Sequence, residues 1–396
     1  MKKWLPWILT LFFAAWIVSE LRAPKDKSYQ FAEFGRLPVV ANGRFQPMDS
    51  LARNALLQLR EKQSVYVPFT AEELQQRSGI KRMMDAKTRE MPAIEWLSEL
   101  IFAPEKADTR KVFRVDHPEV RSMLKLPEKD EAAGEDGKHY SWNQFTNSLE
   151  IMQKESKRVG ELDSSHRTPF DQAVAKTHKR LVTYMQLKNM IQPQDARDFS
   201  AELADYSAII VPGVAAIRAQ QAGKEYDQPL YERFLTYAQR FDAMARMEPP
   251  LVVPPHHPEK ERDAWMRMGE ALLEMARGEP QHPAALAYAT MASSFRQGKV
   301  ADFNQAVLQY RGFLETGFAP ELKKTGREQV YNRLQAFYHS MVIYIVAFLL
   351  AVFSWFNLSE ALRKSAAKLI GLALIIHTAG LIFRMVLEGR PPVTNL

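Results

Sequence analysis

The sequence predicts an all-α membrane protein. A large extracytoplasmic helical domain lies between an N-terminal anchor helix and two C-terminal transmembrane helices. Three observations carry this expectation. Charge-free apolar runs sit at both ends of the 396 residues. The polar middle spaces its apolar residues at the helical period, with little two-residue alternation. A short basic connection separates the two C-terminal runs, the bias of a loop that faces the cytoplasm.

The anchor is assigned to residues 1–23. Lys2 and Lys3 precede the uncharged run from Trp4 to Ser19, which as a helix spans about 24 Å. Trp4, Trp7 and Trp16 suit the two membrane interfaces. A cleaved signal peptide would end at a small-x-small site. Here no A-x-A occurs, and Pro24 follows Ala23, so the segment is expected to stay attached.

Residues 24–338 form the predicted helical domain. A helix is expected from Asp49 or Ser50 as N-cap, with Leu51, Ala55, Leu56 and Leu59 on one face. A second starts near Pro92 and aligns Ile94, Leu97, Leu100 and Ile101. A long third one from Thr168 places Phe170, Val174, Leu181, Tyr184, Met185 and Met190 near one stripe, and YERFLTYAQRFDAMARM continues the pattern. Over 263–316, three helical runs end at Gly278, Gly298 and Gly317, the expected C-cap chemistry of stacked hairpins. Residues 126–139 are acidic and weakly apolar and read as a mobile loop. Residues 247–260 are too rich in proline for a helix and should run extended across the surface.

Transmembrane helices are assigned to 339–358 and 369–387, with a cytoplasmic loop at 359–368 and an extracytoplasmic loop starting at 388–396. Ser340 to Ser359 carries no charge and is long enough to span. The connection holds Arg363, Lys364 and Lys368, which puts the N-terminus inside and the large domain outside.

Composition excludes several chemistries. There is no cysteine, so disulfides, thiolate nucleophiles and cysteine-ligated metals are absent. Net charge is +7, yet no basic block or nucleic-acid motif accompanies it, and no nucleic-acid partner is expected. No nucleophile elbow, phosphate loop or dinucleotide turn occurs, and no catalytic residue is assigned. His256 and His257, with Glu259 and Glu261, make the most metal-like cluster. Adjacent imidazoles in a proline-rich loop lack the i, i+4 spacing of ligands, so no metal site is assigned; a metal-dependent enzyme using them would hold stoichiometric metal. Inside the membrane, polar groups carry more weight. His377 lies within the third apolar run, where it can bond a neighbouring helix, relay protons or ligate a haem iron. His339 reads as an interfacial residue. Arg384 can snorkel outward or grip an anionic group such as a haem propionate.

The run VYNRLQAFYHSMVIYIVAFLLAVFSWF from Val330, followed by LIIHTAGLIFRMVLEGRPPVTNL, resembles the start of the membrane core of cytochrome c biogenesis proteins of the Ccs/Res type. These are haem-handling subunits of system II cytochrome c synthases. FGRLPVVANGRFQPMDSLARNALLQL, residues 34–59, is similar to the beginning of the family's long extracytoplasmic extension. Gly389, Arg390, Pro391, Pro392 and Asn395 form the most specific stretch of likeness.

The resemblance implies a multi-pass protein of the bacterial inner membrane that delivers haem for attachment to apocytochrome c. It implies haem as cofactor of the full-length protein, with His377 and Arg384 as candidate haem contacts. The family's tryptophan-rich haem loop has no counterpart here. The chain is therefore expected to be truncated or half of a split system, inactive as a synthase alone, and partnered by the missing membrane core or another synthase subunit. The alternative is a membrane-anchored helical scaffold that recruits partners and has no haem role.

Overall fold

The computed structural model describes residues 4–22, 28–69, 88–127, 137–356 and 360–388. They fall into two compact units, Ser28–Ala319 and the combination of Met1–Lys27 with Pro320–Leu396.

The larger unit is mostly helical, but all-α is corrected by three short antiparallel two-stranded sheets among the described residues. After the short helix α2 (Phe31–Phe34), β1 (Pro38–Ala41) pairs with β2 (Arg44–Pro47), Pro38 facing Pro47. Asn42 and Gly43 connect them with φ of 52° and 72°. Two successive positive φ values are what a type I′ turn requires, and Asn-Gly is the pair that tolerates them. Helix α3 (Met48–Arg60) follows directly. It starts ahead of the predicted caps, with Pro47 at the N-cap, and Asp49 in the first turn pairs with Arg53 at 2.8 Å. Leu51, Ala55, Leu56 and Leu59 are all buried, as their spacing demands.

Strand β3 (Ser64–Pro68) pairs with β4 (Thr88–Pro92), which runs into α4 (Ala93–Phe102). Ile94, Leu97, Leu100 and Ile101 of α4 are buried. The short α5 (Pro104–Ala107) precedes β5 (Phe113–Arg114), which pairs with β6 (His139–Tyr140) across α6 (Pro118–Met123). The acidic loop expected at 126–139 falls largely at 128–136, outside the described residues. Helix α7 (Leu149–Gly160) leads to α8 (Pro169–Lys188), whose Thr168 and Asp171 form a reciprocal capping box.

Helix α9 (Phe199–Gln221) has no counterpart among the predicted elements. It is one of three helices of the described residues long and apolar enough to cross a membrane; the others run Ala319–Trp355 and Glu360–Leu387. Its composition misleads, because α9 is a wall of the helical unit. Phe199, Leu203, Tyr206, Ile209, Gly213 and Ala216 are buried. They pack on α10 (Gln228–Arg246) and α12 (Pro283–Arg296). Tyr206 stacks on Phe234 and meets the edge of Phe241. On its flank Asp205 binds Arg233 and accepts from Tyr237, and Glu202 binds Arg240 at 2.8 Å. Such an array of ions would be costly to immerse in lipid.

The glycine-terminated hairpins exist as α11 (Met268–Arg277), α12 and α13 (Val300–Gly317). Gly278 and Gly298 adopt the left-handed conformation expected of C-terminal glycines. The proline-rich segment 247–260 is extended as predicted but does not lie on the surface. Val252, Val253, Pro254 and Pro255 are buried, and Leu251 and Val253 bridge to Val40 and Met266.

The second unit is a helical bundle of α1 (Leu5–Glu20), α14 (Ala319–Leu334), α15 (Ala336–Trp355) and α16 (Glu360–Glu388). With 16 residues α1 is shorter than the other apolar helices. Its Ile17 joins Ile343, Ala347, Leu369 and Ala373 in the bundle core. The expected loop at 359–368 is corrected: α16 starts at Glu360, so Arg363, Lys364 and Lys368 occupy its opening turns. Apolar helix simply continues through these basic residues, which are good helix formers. The Lys368 ammonium sits 3.2 Å from the centroid of the Trp7 ring, a cation–π pair at this end of the bundle.

Near the other end Gly380 of α16 meets α15 so closely that an added Cβ would lie 2.7 Å from the Cβ of Ala336. A Gly380→Val substitution should therefore push the two helices apart and cost about 1–3 kcal/mol. The detergent-solubilised variant is expected to melt earlier than Gly380→Ala, and both earlier than the parent.

Candidate functional site

His377 lies on α16 where α15 passes it. Its ring meets the edge of Phe337 at 5.3 Å and tilts against Tyr344 at 6.5 Å. Phe337 and Tyr344 are seven residues apart, so α15 presents both on one face. The imidazole is half-buried and touches aromatic rings. Arg384 lies seven residues further along α16, about 10.5 Å away on the same face, and its side chain is exposed. The structure thus places both predicted residues on one line of one helix, but does not bring them together.

His339 stands in the first turn of α15 and points into the bundle. It is 5% exposed. A carbonyl can only accept, so His339 Nδ1 donates to Leu334 O at 2.7 Å. That carbonyl belongs to the last residue of α14, where intrahelical partners run out. Gln335, with φ of 42°, breaks the helix between α14 and α15, and the imidazole bridges the break. The His339 ring also meets Trp16 edge-on at 4.7 Å. His339 and His377 therefore serve different faces of α15, and His339 braces the bundle. The sequence signal for this role is slight, because nothing marks Gln335 as a helix break.

Gly389, Arg390, Pro391, Pro392 and Asn395 lie outside the described residues.

The adjacent histidines of the proline-rich segment diverge. His256 meets His282 edge-on at 4.6 Å, whereas exposed His257 faces Glu259 at 3.3 Å. His282 is 2% exposed, and its Nδ1 accepts from Ala284 N–H at the start of α12. An imidazole that accepts at Nδ1 carries its proton on Nε2, so His282 offers no lone pair to a metal. Among the described residues no group of three His, Asp or Glu side chains is arranged to hold a metal ion.

A concavity of about 410 Å³ lies between α8 and the segment from β5 to α6, lined by Arg114, Asp116, His117, Lys176 and Arg180. Its charges are mutually engaged. Glu61 receives Lys176 and Arg180, each at 2.8 Å, and Asp116 receives Arg114 at 2.9 Å. The hydrogen bond from Lys176, together with the Arg180 and Arg114 charges, holds the Glu61 carboxyl below its ordinary value. This network ties α3 to α8.

The haem expectation can be weighed against these side chains. His377 offers an imidazole between two aromatic rings, which suits one axial contact and a flat macrocycle's edge. His339 donates from Nδ1 to Leu334 O and packs its ring on Trp16, on a different face of α15 from His377. The residues around His377 therefore fit a haem, whose iron the imidazole would hold beside Phe337 and Tyr344. No family model and no curated protein sequence matches the chain.

Proposed function

We propose that this chain is a membrane component of cytochrome c maturation that works beside a companion carrying the haem-attachment core. The observation that carries the proposal is the run from Val330 to Leu396 with its Gly389-Arg390-Pro391-Pro392 stretch, which resembles the corresponding part of Ccs/Res-type proteins. The aromatic-flanked imidazole of His377 supports it. In this reading the protein resides in the bacterial inner membrane with unit Ser28–Ala319 on the extracytoplasmic side, where apocytochrome c is met. Haem, when bound, is the group transferred to the apocytochrome. His377 would hold its iron through a neutral imidazole nitrogen, Phe337 and Tyr344 would orient that ring, and Arg384 would attract a propionate.

The test is co-expression in bacteria that lack their own cytochrome c maturation, with and without a tryptophan-rich membrane companion. Covalent haem is read by peroxidase staining of the cytochrome c band. The chain alone is expected to give none and the pair to give holocytochrome. His377→Ala is expected to lower the yield about tenfold or more at unchanged chain abundance. Holocytochrome made by the chain alone, or made equally well without it, would sink the proposal and leave the scaffold reading.

A further inference from the structure

The membrane unit has a second concavity, of about 760 Å³, at the end of the bundle away from Trp7 and Lys368. Helix α14 lines one side of it with Lys323, Lys324 and Arg327. The other side is apolar and comes from the last turns of α16, with Phe383, Val386 and Leu387.

The charge on the α14 side is not compensated locally. None of the three cations has an ion-pair or hydrogen-bond partner among the described residues. Helix α14 also has two carboxylates, Glu321 and Glu328, within a turn of Lys324, but both are buried and neither lines the concavity, where Lys323 and Arg327 are exposed. Three like charges within two helical turns repel one another unless an anion lies between them. On the α16 side Val386 is 68% exposed. An inorganic anion would neutralise the lysines and leave that surface wet.

Position decides what kind of anion fits. The charge-free stretch of α16 from Leu369 to Phe383 spans about 22 Å. The concavity therefore opens where such a helix would leave the hydrocarbon and meet the headgroups. Basic side chains beside an apolar strip at that level match an amphiphile with an anionic head and an acyl tail.

We propose that this groove is a binding site for one anionic phospholipid, its phosphate held by Lys323, Lys324 and Arg327 and its acyl chain lying on Phe383 and Val386. The inference is independent of any haem role. It requires only that α15 and α16 cross the bilayer. The bound lipid would join α14 to the end of α16 and steady that end of the bundle.

The experiment uses the full chain, delipidated in a neutral detergent. Phosphatidylglycerol, phosphatidylcholine, inorganic phosphate and haem are added separately, and lipid adducts are counted by native mass spectrometry alongside the melting midpoint. One phosphatidylglycerol adduct is expected, with affinity about tenfold or more above phosphatidylcholine. The triple variant K323Q/K324Q/R327Q should lose that preference. The charge-matched control K154Q/K157Q/K179Q, on exposed positions of the helical unit, should keep it. Equal binding of the two lipids would overturn the proposal. So would a preference lost equally in the control, protection by inorganic phosphate alone, or competition by haem for the same adduct.

Discussion

Replacing Arg180 by methionine is expected to destabilise the helical unit by about 2–3 kcal/mol, the range for leaving shielded backbone carbonyls without their donor. Arg180 is 3% exposed. Its Nε donates to Gln58 O at 2.9 Å, one terminal nitrogen donates to Arg114 O, and the other meets Glu61 at 2.8 Å. Gln58 lies in the last turn of α3, whose free carbonyls and negative dipole end attract a cation. One guanidinium therefore closes a helix end, a strand and an ion pair together. Methionine fills part of the volume but leaves two carbonyls without their donor, while Glu61 keeps Lys176 and Arg114. Lys176 binds the same carboxylate from a side chain that is 57% exposed, so Lys176→Met should cost less than about 1 kcal/mol. Denaturant titration of the two variants in detergent separates these values. Equal losses would show that Arg180 is no more than a surface partner of Glu61.

Acidification should weaken the protein through His282, and the direction follows from its surroundings. Burial, helped by the neighbouring His256, depresses its folded-state pKa from the ordinary 6.5 to about 3. The Nδ1 lone pair is already used by Ala284 N–H, and the positive end of α12 also disfavours a second proton. Below pH 6.5 the unfolded chain takes up a proton that the folded chain refuses. The stabilisation is thus complete above about pH 6.5 and is lost as pH falls toward about 3, by up to about 1.4 kcal/mol per pH unit. His282→Asn keeps a capping acceptor at the helix start and removes the titration. Hydrogen exchange of the α12 amides between pH 7 and 4 reads the difference. The parent should open more readily as pH drops and the variant should flatten that dependence; parallel profiles would remove His282 as the cause.

The short strands show where legibility stopped. The apolar faces of α3 and α4 could be read directly because each repeats its pattern over several turns. The strands could not, because β5 and β6 have two residues each and no alternation can declare itself over so short a run. The Asn42-Gly43 turn was legible in principle, since few residue pairs accept two positive φ values. At the candidate site, the place of His377 within an apolar helix was legible, whereas its Phe337 and Tyr344 neighbours depend on the phase between two helices.

Composition and spacing by themselves determined that apolar helices close both ends of the chain, that a helix-rich unit fills the middle, and that no cysteine chemistry is available. These are local properties, because burial of an apolar face and helix capping act within a few residues. The tertiary structure alone decided that α9 is a wall of the helical unit, that His339 braces a helix break, and that the proline-rich segment runs through the interior. It also decided which cations find carboxylates and which, like Lys323, Lys324 and Arg327, face an apolar groove. Those outcomes depend on side chains far apart in sequence meeting in space, where one contact satisfies a buried polar group and its absence leaves a charge to be met by something else.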